Sequence, residues 1–112
     1  MSINAGTLRH RVLLETPNLV PNDFGEFEID GFSRIDEFWA RITPLTGREL
    51  LEARQIKAEI SHRVVIRFVK NISTEMRLVF GNNILEISSI ANLRHLSELL
   101  ELLCIERLRN ES

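Results

Sequence analysis

The stretch Phe38–Gln55, "FWARITPLTGRELLEARQ", changes character twice within 18 residues. It opens as a strand that carries the only Trp of the chain, Trp39. Pro44 then removes a backbone donor and stops that strand. "TGRE" (Thr46–Glu49) matches a capping box, in which Thr46 and Glu49 would satisfy each other's exposed backbone N–H groups. A short helix over residues 46–56 follows, built on Leu50, Leu51, Ala53 and Arg54, all good helix formers. At roughly three turns it is marginal alone and has to dock on something.

Downstream the pattern is that of strands. From Ala58 to Phe68, Ala58, Ile60, His62, Val64, Ile66 and Phe68 share one face, and Glu59, Ser61, Arg63 and Arg67 the other. "EMRLVF" and "ILEISSIA" read as two strands joined at Gly81-Asn82-Asn83, the chemistry of a tight hairpin. The last segment, "HLSELLELLCIERLR", is ambiguous. Its Leu/Glu content favours a helix with Leu96, Leu99, Leu100 and Leu103 on one stripe. As a strand it would put Leu100, Leu102 and Cys104 on one side.

Upstream, "TLRHRVLLE" (Thr7–Glu15) has the period of a half-buried strand, with Leu8, Val12 and Leu14 on one side and Arg9, Arg11 and Glu15 on the other. Pro17 and Pro21 are expected to end it. Residues 17–37 then read as a long loop with two prolines, two glycines, six acidic residues and a single Arg. Loops of that length in a compact domain are functional or disordered. This one also carries Phe24, Phe27, Ile29 and Phe32. Two readings stand side by side: a hairpin with a few residues tucked onto the core, or a segment that orders against a partner. Five or six short strands with one helix is the pattern of a small β-barrel or sandwich in a single domain over residues 1–112.

The totals narrow the function classes. With 44% hydrophobic and 27% charged residues, the chain can bury a core without disulfides or a metal. A net charge of -2 argues against a mainly electrostatic nucleic-acid binder. One cysteine excludes an internal disulfide and fits a reducing compartment. The N-terminal residues lack the apolar core of a signal peptide, and no apolar run approaches the ~20 residues of a membrane helix. The expectation is a soluble protein made in a cytoplasm, with no membrane partner.

No constellation for catalysis emerges. His10, His62 and His95 are far apart and not at metal-ligand spacing with Cys104. His10 and His62 fall on apolar strand faces, where a satisfied histidine is the ordinary reading. Cys104 among leucines reads as a small buried hydrophobe. The glycines are isolated at 6, 25, 31, 47 and 81, so no phosphate cradle forms. A barrel that binds single-stranded nucleic acid would expose aromatic platforms beside basic residues. Trp39 beside Arg41 is the one candidate, but a lone Trp reads more readily as a core anchor. The expectation is no enzyme, no metal and no cofactor.

Taken together, "GTLRHRVLLE", "FWARITPLTGRELLEARQ", "HRVVIRF" and "LELLCIER" resemble, in order and spacing across almost the whole chain, the phage head-tail joining family. These are the small head-closure or stopper proteins of the neck of long-tailed bacteriophages. The resemblance implies a small β-barrel of about six strands, one short helix beside it, and a long mobile loop after the first strand. It implies that residues 98–107 are the last barrel strand, against propensity. It implies a non-enzymatic virion protein of the neck, present in the host cytoplasm during assembly. Such a protein docks as a ring of roughly twelve copies on the portal or adaptor connector. It closes the DNA channel and offers a platform to a tail-terminator or tail-completion protein below.

The loop residues Asp23, Phe24, Glu26, Phe27, Glu28, Ile29, Asp30 and Phe32 would then lie in the channel. Either their acids would repel packaged double-stranded DNA, held non-specifically if at all, or their phenylalanines would instead pack against neighbouring loops as a plug. Candidate assembly residues are Arg9, Arg11, Arg63 and Arg67 on exposed strand faces, with Arg48 and Glu49 at the helix start. Their expected partners are the acidic loop and Glu98, Glu101 and Glu106, although a solvated face is the ordinary fate of any one such residue. The alternatives are a tail-completion or terminator protein on the tail side of the joint, and a small nucleic-acid-binding barrel.

Overall fold

In the computed structural model, which describes residues 8–93 and 98–108, the alternating segments all find partners. The elements run β1 (His10–Pro21), β2 (Phe27–Pro44), α1 (Gly47–Ile56), β3 (His62–Arg67), β4 (Arg77–Phe80), β5 (Asn83–Leu93) and β6 (Leu99–Leu108). Every pairing is antiparallel, and the strands close as a barrel in the order β1-β2-β3-β6-β5-β4. Thr7, His95 and Leu96, used in the sequence reading, lie outside the described residues.

Closure gives each strand one face to fill. Val12, Leu14, Ala40, Val64, Ile66, Leu78, Leu85, Ile87, Leu100, Leu102 and Cys104 make one continuous interior. Each large aliphatic buried this way contributes about 1.5–3 kcal/mol. A second, smaller cluster sits outside the barrel wall, where Leu45, Ala53, Ile60 and Ile105 pack with Leu50 and Leu103. That cluster is where α1 docks. β6 therefore sends Leu100, Leu102 and Cys104 inward and Leu103 and Ile105 outward under the helix. A strand covered on both faces has a continuous apolar run, which is why its composition imitated a helix. The strand that the resemblance implied over residues 98–107 is present, as Leu99–Leu108.

The junction after Trp39 works differently from its sequence signature. Leu50 N–H donates to the Thr46 carbonyl and opens the helix, but the Thr46 side chain makes no cap bond. Glu49 reaches Arg63 on β3 instead. Gly47 has φ +58, the left-handed region, so the turn into α1 requires glycine whatever space surrounds it. Leu45 N–H donates to the Ser61 carbonyl (3.0 Å), and Ser61 N–H to the Cys104 carbonyl (2.9 Å). The helix is thus a detour clipped shut at the barrel wall. β3 begins only at His62 because Lys57 to Ser61 are spent on that return.

Two expectations need larger corrections. Residues 17–37 are not a loop. Pro17 and Pro21 lie within β1, and only Asn22–Glu26 separate it from β2. The two strands continue past the barrel as a hairpin arm, giving the molecule extents of 51 × 27 × 27 Å. β4 pairs with β1 only at Leu13–Glu15, so beyond that point β1 has β2 alone as neighbour. Prolines are tolerated in such an edge strand because its outer donors have no partner to lose. Trp39, in turn, is no core anchor: it stands on the outer wall, 51% exposed.

Burial pushes the Cys104 thiol from its ordinary value of 9.0 up to about 12. The raised value keeps the thiol protonated in the folded state while the unfolded chain ionises. Its stabilising contribution is thus complete below pH 9.0 and is lost as pH climbs towards about 12. Unfolding in urea at stepped pH should therefore show a steeper alkaline loss for the wild type than for Cys104→Ala. The expected difference in slope is up to ~1.4 kcal/mol per pH unit. Leu102→Ala should cost ~2–5 kcal/mol in the same assay. Leu51→Ala, on the solvent side of α1, should change it by ~0.5 kcal/mol or less.

Candidate functional site

The arm is built from its apex downward by side chains that serve as backbone partners. At the apex, Asn22 N–H donates to the Glu26 carbonyl (2.7 Å) and Gly25 N–H to the Asn22 carbonyl (3.2 Å). The Asn22 Oδ1 accepts from Phe24 N–H (2.9 Å) and Glu26 N–H (3.0 Å). Gly25, at φ +81, supplies the left-handed residue that turns this tight loop into a hairpin. Asn22 Nδ2 also donates to Glu28 Oε1 (3.2 Å).

Midway, the register slips between Pro17 and Leu19, and Asn18 opposes the Asp30–Gly31 bulge. Asn18 Oδ1 accepts from Ser33 Oγ (2.8 Å), and its Nδ2 lies 3.4 Å from the Asp30 carbonyl. Beyond the bulge Leu19 faces Ile29 and Pro21 faces Phe27, so these four share one side of the ribbon. Val20 and Glu28 share the other. Phe24 is 87% exposed and Phe27 69%, and Asp23, Glu26, Glu28 and Asp30 are exposed too.

At the root, Arg77 of β4 bridges barrel and arm. Its Nε donates to Glu15 Oε1 at 2.8 Å, and its guanidinium carbon sits 3.6 Å from the Phe32 ring centroid. Glu15 is only 7% exposed and is the one buried charged side chain among the described residues. Phe32, expected to reach the channel with the other loop residues, is therefore half-buried at the root and separated from them.

The expected assembly residues divide as well. Arg63 is engaged within the chain, by Glu49 of α1 and by Glu101 at 3.8 Å. Those contacts hold the helix to the wall. Arg11 pairs with Glu37 at 3.2 Å and lies 5.2 Å from the Trp39 ring centroid. Arg9, Arg48 and Arg67 are exposed. Of the expected acidic partners, Glu98 is exposed, and Glu106 takes the Asn83 amide at 3.2 Å and lies 3.9 Å from His62. His10 Nδ1 accepts from Ile42 N–H (3.3 Å) while its ring meets Phe80 edge-on at 5.1 Å.

Among the described residues no group of three or more His, Cys, Asp or Glu side chains could hold a metal ion. No described helix is long and apolar enough to cross a membrane. The sequence reading missed the ribbon and its root. Asn22 with Gly25 three positions on, flanked by alternating Leu19/Pro21 and Phe27/Ile29, was the available signal for a hairpin.

Arg77→Ala should leave the Glu15 carboxylate stranded at the root. The expected loss is about 2–4 kcal/mol in urea unfolding, short of the full buried-pair range because the Arg77 side chain is 22% exposed. Glu15→Leu combined with Arg77→Leu should cost less than Arg77→Ala alone.

Comparison with known proteins places this architecture. No curated protein matches the chain. Among solved structures, the solution structure of protein SF1141 from Shigella flexneri 2a superposes with a TM-score of 0.70 at 23% identity, covering 98% of this chain and 100% of that one. A chain from the virion of a native gene transfer agent particle superposes with a TM-score of 0.65 at 18% identity, covering 90% and 96%. At such identities these likenesses concern the fold. The sequence profile of the phage head completion proteins matches residues 3–107. The chain belongs to the phage head completion protein family, a family of structural virion components rather than enzymes.

Proposed function

We propose that this head completion protein docks as a ring on the portal or connector complex at the DNA exit. There it closes the filled head and presents the platform to which the tail attaches. The arm carries this reading. It is a pre-formed ribbon projecting from a closed barrel, with Asp23, Glu26, Glu28 and Asp30 exposed along it and Phe24 and Phe27 open to solvent near its tip. In a ring, arms turned towards the axis narrow the channel. Their carboxylates repel the phosphate backbone, which suits a passage that must retain DNA without gripping it. Their aromatic side chains give neighbouring arms something to pack on.

The barrel supplies what a ring subunit needs around such an arm. Its sheet is closed, so apart from the arm no long strand edge is left for indiscriminate pairing. Association can then be confined to side-chain surfaces. A chain that is monomeric in solution is compatible with this function, because docking on the preceding ring raises the effective concentration of neighbours.

The test is binding of labelled protein to purified, DNA-filled, tailless capsids. Saturation at roughly twelve copies per particle, with less DNA leaking out, is the expected result. A version with residues 18–31 replaced by a two-residue Asn-Gly turn should still bind but retain DNA poorly; equal retention would remove the arm from the seal. Capture by isolated tails with no binding to capsids would move the protein to the tail side of the joint, as a completion or terminator protein. Binding to neither would overturn the proposal.

A further inference from the structure

The end of the barrel away from the arm carries surplus positive charge around an exposed indole. Ala40 and Ile66 oppose each other on β2 and β3 and point into the core, so Trp39, Arg41 and Arg67 beside them stand on the outer wall. Trp39 is half exposed, with Arg11 as its register partner on β1. Arg9 and Arg41 come one step along and line a single cavity of about 380 Å³ with Thr43. Like charges set side by side on a sheet repel. Among the described residues no carboxylate pairs with Arg9, Arg41 or Arg67.

Position and charge narrow the occupant. β1 rises ~3.3 Å per residue, so Arg11 stands roughly 35 Å from Asn22 at the apex of the arm. With the arms turned to the axis, the patch lies at the outer end of each subunit, away from DNA in the channel. A second copy brings an unsuitable surface, because off the arm Glu37, Glu49, Glu86 and Glu101 already have arginine partners in their own chain. What fits is an anion next to an apolar group. A carboxylate between Arg9 and Arg41 would relieve their repulsion, and an aliphatic or aromatic side chain would cover the indole.

We propose that the Trp39 patch is the face by which the protein docks on the preceding ring, and that it takes an acidic segment of that partner. One carboxylate of the segment sits between Arg9 and Arg41, another meets Arg67, and an apolar side chain covers Trp39. The inference rests on the ring reading and names the surface that docking uses; the arm stays free in the channel. Tryptophan and arginine are the residues that carry most of the binding energy at protein interfaces. Opposite charge on the two partners also speeds their encounter.

The test is loading of labelled variants on DNA-filled, tailless capsids, with urea unfolding of each variant to keep misfolding apart from lost docking. Arg41→Glu with Arg67→Glu should weaken loading by ~10-fold or more, and wild-type loading should fall with added salt. Trp39→Ala should weaken it by ~10-fold or more as well. Arg54→Glu with Lys70→Glu makes the same change in net charge at exposed positions elsewhere and should load like wild type. Trp39 is the sole Trp and reports the contact without capsids. Its emission should shift on titration with a blocked peptide of glutamates flanking a leucine, and not with the lysine counterpart.

Loading that ignores the patch reversal, or that suffers as much from the control reversal, overturns the proposal. If wild type loads on no capsid, the ring reading fails separately, and the patch's preference for an acidic segment stands or falls on the peptide titration. Quenching of Trp39 by short duplex DNA at physiological salt, with no response to the peptide, assigns the patch to nucleic acid and overturns the proposal. A Trp39 indole N–H resonance that moves with protein concentration alone assigns it to a second copy, with the same consequence.

Discussion

The structure depends on β6 lying between β3 and β5. Without it the sheet is an open ribbon with two unsatisfied edges; with it every barrel strand has two neighbours. Val64 opposes Leu102 on one side and Ile87 opposes Cys104 on the other, so the same strand completes the interior from both directions. Its outer residues, Leu103 and Ile105, then join Leu45 and Ile60 as the apolar ground on which a helix as short as α1 settles. Closure, core and helix docking are one event, and the order of these dependencies runs from the last strand in the sequence back to the middle.

That dependence explains what could be read in advance and what could not. The alternation at Val64, Ile66, Leu85 and Ile87 was legible because those strands obey a period of two. β6 was not legible from propensity, since burial on both faces erases the period; only resemblance to a family placed it. The arm was hidden for the reverse reason. Its prolines and acids are the marks of a loop, and nothing local shows that a bulge at Asn18 and an Asx turn at Asn22 convert such a sequence into paired strands. Trp39 was misjudged because its size argued for the interior, while its neighbours Ala40 and Ile42 on the inward face already fill it. Arg63 and Glu49 looked like assembly residues because a sequence cannot show that they meet each other.

A two-stranded ribbon is marginal by itself in water, so the arm needs anchoring, and its anchor is electrostatic and aromatic rather than aliphatic. Glu15, nearly buried, has Arg77 as its ion-pair partner, and the Arg77 guanidinium sits over the Phe32 ring of the returning strand. One guanidinium thereby ties β4, β1 and β2 together where the barrel ends. Removing the cation leaves a buried charge without compensation, whereas the apex, held by backbone bonds to Asn22, has no such stake. Stability should therefore decline from the root outward, with the tip the first part to open and the last to be missed by the core.

A pre-formed ribbon also changes what recognition costs. A free loop of the same length would have to order each residue on seating, at about 1–2 kcal/mol of backbone entropy apiece. The arm has already met that cost through its hydrogen bonds and its anchored root, so a partner surface has little backbone left to order. The result is an arm rigid enough to meet a partner without first having to fold.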